Sequence, residues 1–143
     1  MNLPPKKLLT QLVHNGVIDQ GTADTYELNS LQKNLPILDY LTGNTTLERG
    51  AVLKAAADVL QIPFIDLTSS PIDPQAISLI SESVARRYAI LPYRYDAKAQ
   101  FLYVATADPF NTYLTEFLEK KVGKKIVLSL SNTDDITKGI DAS

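Results

Sequence analysis

Between Pro71 and Thr112 the chain reads PIDPQAISLISESVARRYAILPYRYDAKAQFLYVATADPFNT, and no other stretch restricts its fold so tightly. Pro71, Asp73 and Pro74 make a rigid turn, because proline presets its backbone angle and has no amide hydrogen to give to a ladder. Ala76, Ile77, Leu79 and Ile80 follow as a short apolar run of helical length. Ser81-Glu82-Ser83 then supplies a fresh polar start before Val84-Ala85. Ala89–Tyr95 and Phe101–Ala107 are rich in aromatic and branched residues and read as strands, joined by the polar hairpin-length connection Asp96–Gln100. Asp108-Pro109 breaks the pattern and opens another helix.

On either side of this segment the patterns differ. Residues 1–62 read as an all-helical subdomain. Leu8, Leu9, Leu12 and Val13 form one apolar face after Pro4-Pro5, and Gly16 is suited to end that helix in a left-handed conformation. Asp19 is placed to cap a second helix near Gln20–Gln32, whose apolar face (Ala23, Tyr26, Leu31) is thin. Pro36 suits the first position of a third helix through Leu41, stopped by Gly43-Asn44. Thr45 and Glu48 have the spacing of a capping box for a fourth helix, with Leu53, Ala56, Ala57 and Leu60 on one face and an end before Pro63. A shift of 29 residues carries Leu9, Leu12, Asn15, Gly21 and Gln32 onto Leu38, Leu41, Asn44, Gly50 and Gln61. The corresponding unit is a helix–turn–helix pair packed against its copy.

Residues 63–143 read as an α/β subdomain. Phe64–Leu67 is a short strand, and the helix after Asp108-Pro109 carries Leu114, Phe117, Leu118 and Lys121 on one face with Gly123 as its stop. Lys125–Leu130 alternates as a strand, and Ser131 starts a last helix through Ile136 and Ile140. The whole is α+β: about four helices, then a small mixed sheet of about four strands with helices packed on it.

Composition removes several functions. A net charge of −2 and a pI near 5.3 do not suit a nucleic-acid binder, which presents a basic surface. Without cysteine there is no disulfide and no thiolate zinc site. No apolar run approaches the ~20 residues that span a bilayer, which points to a cytoplasmic chain with no direct membrane insertion. No glycine-rich run leads into Lys-Ser or Lys-Thr, so the phosphate loop of an ATPase is missing.

The remaining candidates are few. His14 stands alone and suits a cap or a surface position. Asp134-Asp135 favour the positive end of a helix dipole. Lys120, Lys121, Lys124 and Lys125 complement a helix C-terminus, or else face an acidic partner or an anionic lipid surface. Arg86, Arg87 and Tyr88, at a helix end leading to Tyr93 and Tyr95, combine residue types enriched at protein interfaces. The same tyrosines also fit a half-buried sheet. The Ala107–Pro109 turn is a cap, since Asp108 already occupies the place an anion would need.

The chain resembles the N-terminal domain of the assembly ATPases that drive type II secretion and type IV pilus extension. The likeness rests on Pro71-Ile72-Asp73-Pro74, Ala85-Arg86-Arg87-Tyr88, Leu91-Pro92, Leu102-Tyr103-Val104-Ala105 and Ala107-Asp108-Pro109, with Leu60–Leu67, Leu114–Gly123 and Ser131–Ile136 alongside. It implies a non-catalytic docking or regulatory domain that positions the motor on the cytoplasmic domain of an inner-membrane platform protein. It places the chain in the cytoplasm, peripheral to the inner membrane through partners. ATP and magnesium, and any hexamer, then belong to a motor domain absent from this chain.

The helical repeat also resembles the cyclic di-GMP-binding module of some of these ATPases, in copies spanning Lys7–Ser30 and Pro36–Val59. Lys7, Leu8, Leu12, Val13, Gly16, Val17 and Ile18 carry that likeness. Lys7 and Pro36 stand where the pattern opens on arginine, and neither offers the planar fork that reads guanine and phosphate. The resemblance therefore implies a scaffold kept with most of the ligand chemistry gone, and no cofactor in this domain. A cyclic di-GMP sensor of the same machinery and an unrelated adaptor are the alternatives.

Overall fold

Proline at the start and glycine past the end delimit the first helix. α1 (Pro5–His14) begins where Pro4 and Pro5 fix φ, and stops at Gly16, whose φ of +78° is the left-handed region that favours glycine. The Val17 amide then donates to the Leu12 carbonyl and the Gly16 amide to that of Val13, both at 3.0 Å. Two otherwise orphaned carbonyls are satisfied in this way. The computed structural model describes residues 3–143 and divides into two compact units, Met1–Gln61 and Ile62–Ser143.

The described part of the first unit is four helices. α2 (Gln20–Gln32) is capped by Asp19, which accepts from the Thr22 amide at 2.7 Å. α3 (Ile37–Asn44) and α4 (Arg49–Leu60) complete it, and the 29-residue shift carries the first residue of α2 onto the first of α4. Leu8, Leu12, Leu41 and Val52 are wholly buried, and the small side chains of Ala55, Ala56 and Ala57 line the inner face of α4. Three helix boundaries depart from expectation. Pro36 is the N-cap of α3, one place before the first helical residue, and Gly43-Asn44 lie inside the helix. Thr45 opens no capping box: its hydroxyl donates back to the Leu41 carbonyl at 2.6 Å, and Glu48 is the N-cap of α4 without a side-chain bond.

In the second unit the polar start at Ser81 splits the first helical run in two. α5 (Pro74–Ile77) is capped by Asp73, and α6 (Glu82–Tyr88) by Ser81, which accepts from the Val84 amide. β1 (Ile90–Asp96) and β2 (Phe101–Thr106) form an antiparallel hairpin with a bulge between Pro92 and Arg94. Asp96 shapes the turn by accepting from the amides of Lys98 and Ala99. α7 (Thr112–Val122) crosses over to β3 (Lys125–Leu130), which runs parallel to β2. α8 (Thr133–Ala142) closes the unit.

Among the described residues the sheet has three strands in the order β1-β2-β3, one fewer than expected. Phe64–Leu67 contributes only a single bridge, Phe64 to Leu130, because Asp66 turns the chain onto Thr68. Both outer edges are occupied. On β1, the Asp73 amide donates to the Tyr93 carbonyl at 3.0 Å, and the Tyr95 amide donates to the Asp73 carboxylate at 3.2 Å. On β3, the Ile126 amide donates to Glu119 at 3.1 Å and the Leu130 amide to the Pro63 carbonyl at 2.8 Å.

Helix starts in this unit also fall later than the sequence suggests. Asp108 accepts from the Phe110 amide in a turn of its own, and Asn111 caps α7. Ser131 does not start α8; its hydroxyl is buried without a partner among the described residues, and Asn132 caps the helix at 2.8 Å from the Asp134 amide. The core gathers Ile90, Leu91, Leu102, Val104, Leu118 and Ile136. α8 approaches β1 at Gly139, where a Cβ atom would overlap Cδ2 of Leu91.

Candidate docking surface

Two adjacent arginines on a helix point about 100° apart, so they meet different surroundings. Arg86 reaches from α6 to α8: its Nη2 lies 2.8 Å from Oδ1 of Asp141, and its Nε lies 3.5 Å from Oε2 of Glu82. The hydrogen bond to Asp141 is the chief reason its guanidinium holds its proton more firmly than usual. Its Nε and Nη2 are engaged within the unit. Arg87 has no carboxylate partner among the described residues, and its guanidinium carbon sits 5.6 Å from the centre of the Tyr88 ring.

α7 supplies the rest of the surface. Its inward positions are Leu114 and Leu118, both buried, one turn apart. Tyr113, Phe117 and Lys121, spaced four apart, fall on the neighbouring stripe and stay outside. Tyr113 is 79% exposed and Phe117 38%. Sequence spacing sets Phe117 and Lys121 on one face with Leu114 and Leu118; in the structure the two leucines turn inward and leave Phe117 and Lys121 outside. The Phe117 ring centre lies 5.3 Å from that of Tyr88, and Nζ of Lys121 lies 6.0 Å from Phe117. The structure thus brings Arg87, Tyr88, Phe117 and Lys121 into one contiguous run, an aromatic pair with a cation at each end. A spacing rule on α7, comparing the two stripes, would have found Phe117; its meeting with Tyr88 is a tertiary contact that no local pattern shows.

The other candidates take structural positions. Tyr93 is 9% exposed and its phenol shares a 2.7 Å hydrogen bond with Oγ of Ser129. Burial raises its pKa more than that bond and the neighbouring Arg94 lower it. Lys124 donates to Gln100, and Lys120 pairs with Glu116. Asp134 and Asp135 occupy the first turn of α8.

In the first unit Leu8 and Leu12 lie in the helical core, while Val13, Val17 and Ile18 are half-buried and Gly16 is exposed in its turn. Lys7 borders an open hollow of about 570 Å³ together with Lys6, Thr10, Gln11, His14 and Asp58. Of the residues that carry the cyclic di-GMP likeness, Lys7 alone presents a charge there. Among the described residues no three His, Cys, Asp or Glu side chains gather as a metal site, and no helix is long and apolar enough to cross a membrane.

Known structures share this architecture. The structure of MshE with cdg (cyclic di-GMP) superimposes with a TM-score of 0.72 at 22% identity, covering 94% of this chain and 96% of that one. The N-terminal domain of XpsE gives a TM-score of 0.62 at 14% identity, covering 99% and 97%. A second crystal form of that domain gives 0.55 at 16% identity over the same shares, 99% and 97%. At these identities the likeness shows the fold. No curated protein matches the chain. Residues 60–143, which span the sheet, the Arg87–Lys121 surface and the last two residues of the helical unit, match the MshEN domain. The chain belongs to the MshEN domain family, the N-terminal domain of type II secretion and type IV pilus ATPases.

Proposed function

We propose that this chain is a non-catalytic docking and regulatory domain that seats an assembly ATPase on the cytoplasmic domain of an inner-membrane platform protein. The observation that carries this reading is the run Arg87–Tyr88–Phe117–Lys121, an exposed aromatic pair with cations that no carboxylate of the described residues takes up. Aromatic residues and arginine concentrate binding energy at interfaces, whereas a scattered exposed side chain does not. On this reading the domain works at the cytoplasmic side of the inner membrane, and ATP, magnesium and hexamer formation belong to a motor domain elsewhere in the same machine.

The test measures binding of the chain to platform cytoplasmic domains by calorimetry. Arg87→Ala is expected to weaken the complex by ~2 kcal/mol or more, with its melting temperature unchanged. Arg86→Ala is expected to lower the melting temperature and leave affinity alone, since its guanidinium serves Asp141 and Glu82. The opposite assignment, or no binding at all, would defeat the proposal. A second reading, a cyclic di-GMP sensor, draws on the hollow beside Lys6, Lys7 and His14 and on the likeness to MshE. Titrating cyclic di-GMP in the same calorimeter decides it. With lysine and proline at the two opening positions, binding is expected to be no tighter than tens of micromolar (about −6 kcal/mol).

A further inference from the structure

We infer that the segment received by this surface is acidic, with an apolar side chain set on the Tyr88–Phe117 pair and a carboxylate on either side of it; this rests on the docking reading above. The order of groups dictates that chemistry. Arg87 stands at one end of the aromatic pair and Lys121 at the other. A ring beneath a guanidinium holds it by one face and leaves the N–H donors around its rim available for a carboxylate. Neither cation has a carboxylate partner among the described residues, so each retains its charge for an incoming group. A neutral apolar partner would bury both charges uncompensated, and a basic one would be repelled.

An anionic membrane is the other surface that takes aromatics beside lysines, and the distribution of charge argues against it. Lipid headgroups attract clusters of about 4–8 lysines and arginines. Here Glu116 lies on α7 between Tyr113 and Phe117 and engages Lys120 at 3.4 Å, while Glu82 draws Arg86 away. With Lys120 engaged by Glu116 and Lys124 by Gln100, Arg87 and Lys121 face each other across a short apolar span, which fits a single peptide strand or helical turn.

The probe is a synthetic peptide with leucine and phenylalanine at its centre and two glutamates on each side, titrated into the full chain and followed by amide NMR. A saturable shift confined to Arg87, Tyr88, Phe117, Lys121 and their neighbours is expected, with no binding of the counterpart in which lysines replace the glutamates. Arg87→Glu combined with Lys121→Glu should weaken the acidic peptide at least tenfold while the thermal melt stays in place, and should admit the lysine peptide. Binding that ignores the charge reversal, equal binding of both peptides, or none, would overturn the inference. So would patch-dependent capture by phosphatidylserine vesicles without peptide binding. A platform domain that loses affinity for Arg87→Ala, yet is not displaced by the acidic peptide, would sink this inference and leave docking standing. An acidic peptide that binds where no platform domain does would leave the surface chemistry standing and remove the docking partner.

Discussion

Tyr93 shows how one core side chain is divided between apolar and polar demands. Its ring packs 6.2 Å from that of Tyr103 while its hydroxyl meets Ser129, itself fully buried. Replacing Tyr93 with Phe keeps the ring and strands the serine hydroxyl, which should cost about 1–2 kcal/mol by chemical denaturation. The same residue ties stability to alkaline pH. Burial raises its pKa above the ordinary 10.0, so the folded state holds the phenolic proton more tightly than the unfolded chain. That contribution is whole below pH 10.0 and is lost as pH climbs through the folded value. In Tyr93→Phe this part of the alkaline decline should vanish; an unaltered decline would show that the phenol titrates as it does in water. Arg86 and Arg87 make the complementary point, since neighbours in sequence with one chemistry serve the fold and the surface respectively.

Between elements, the closest fit is α8 against β1. Gly139 lies within α8, where alanine would ordinarily improve helix stability by about 1 kcal/mol. Here its methyl group would enter the space of Leu91, which is 1% exposed and cannot swing aside freely. Overpacking of this kind costs about 1–3 kcal/mol, so Gly139→Ala should destabilise by ~1 kcal/mol net. In a Leu91→Ala background the same change should stabilise, and a cycle showing no sign reversal would mean the two elements do not meet there. Nothing in the sequence around Gly139 foretells this, because the reason for glycine sits on a strand far away along the chain. Signals that act over a few residues were legible: Gly16 ending α1, Asp19 capping α2, Ser81 restarting a helix, and the two strands of the hairpin. Where several capping residues crowd together, the observed cap lies one to three residues beyond the first of them. Thr45 turned back to its own helix, Asp108 made a separate turn ahead of Asn111, and Ser131 went into the interior beside Asn132. Which of the competing oxygens takes the cap is settled by what the others meet in three dimensions. The surface followed the same rule: Arg87 and Tyr88 stand together in the sequence, whereas Phe117 joins them only through folding.

At the scale of the molecule, Ile62–Ser143 holds a core of its own made from a sheet and the helices that cross it. A chain of this size buries enough surface to stand alone, though with little margin. Produced by itself it should therefore give a single cooperative melt and a dispersed amide spectrum; a molten or aggregated product would show that its core is incomplete. Its small sheet carries one more consequence. Strands with bare amides recruit other chains, and short sheets are the most exposed to this because every edge is near. On one side Asp73 takes up both the carbonyl of Tyr93 and the amide of Tyr95, and on the other Glu119 and Pro63 take the amides of Ile126 and Leu130. An incoming strand must first evict a carboxylate that is already hydrogen-bonded. Fibrous, backbone-to-backbone growth is opposed at both borders, where losing Asp73 or Glu119 would bare an edge amide and leave that border adhesive.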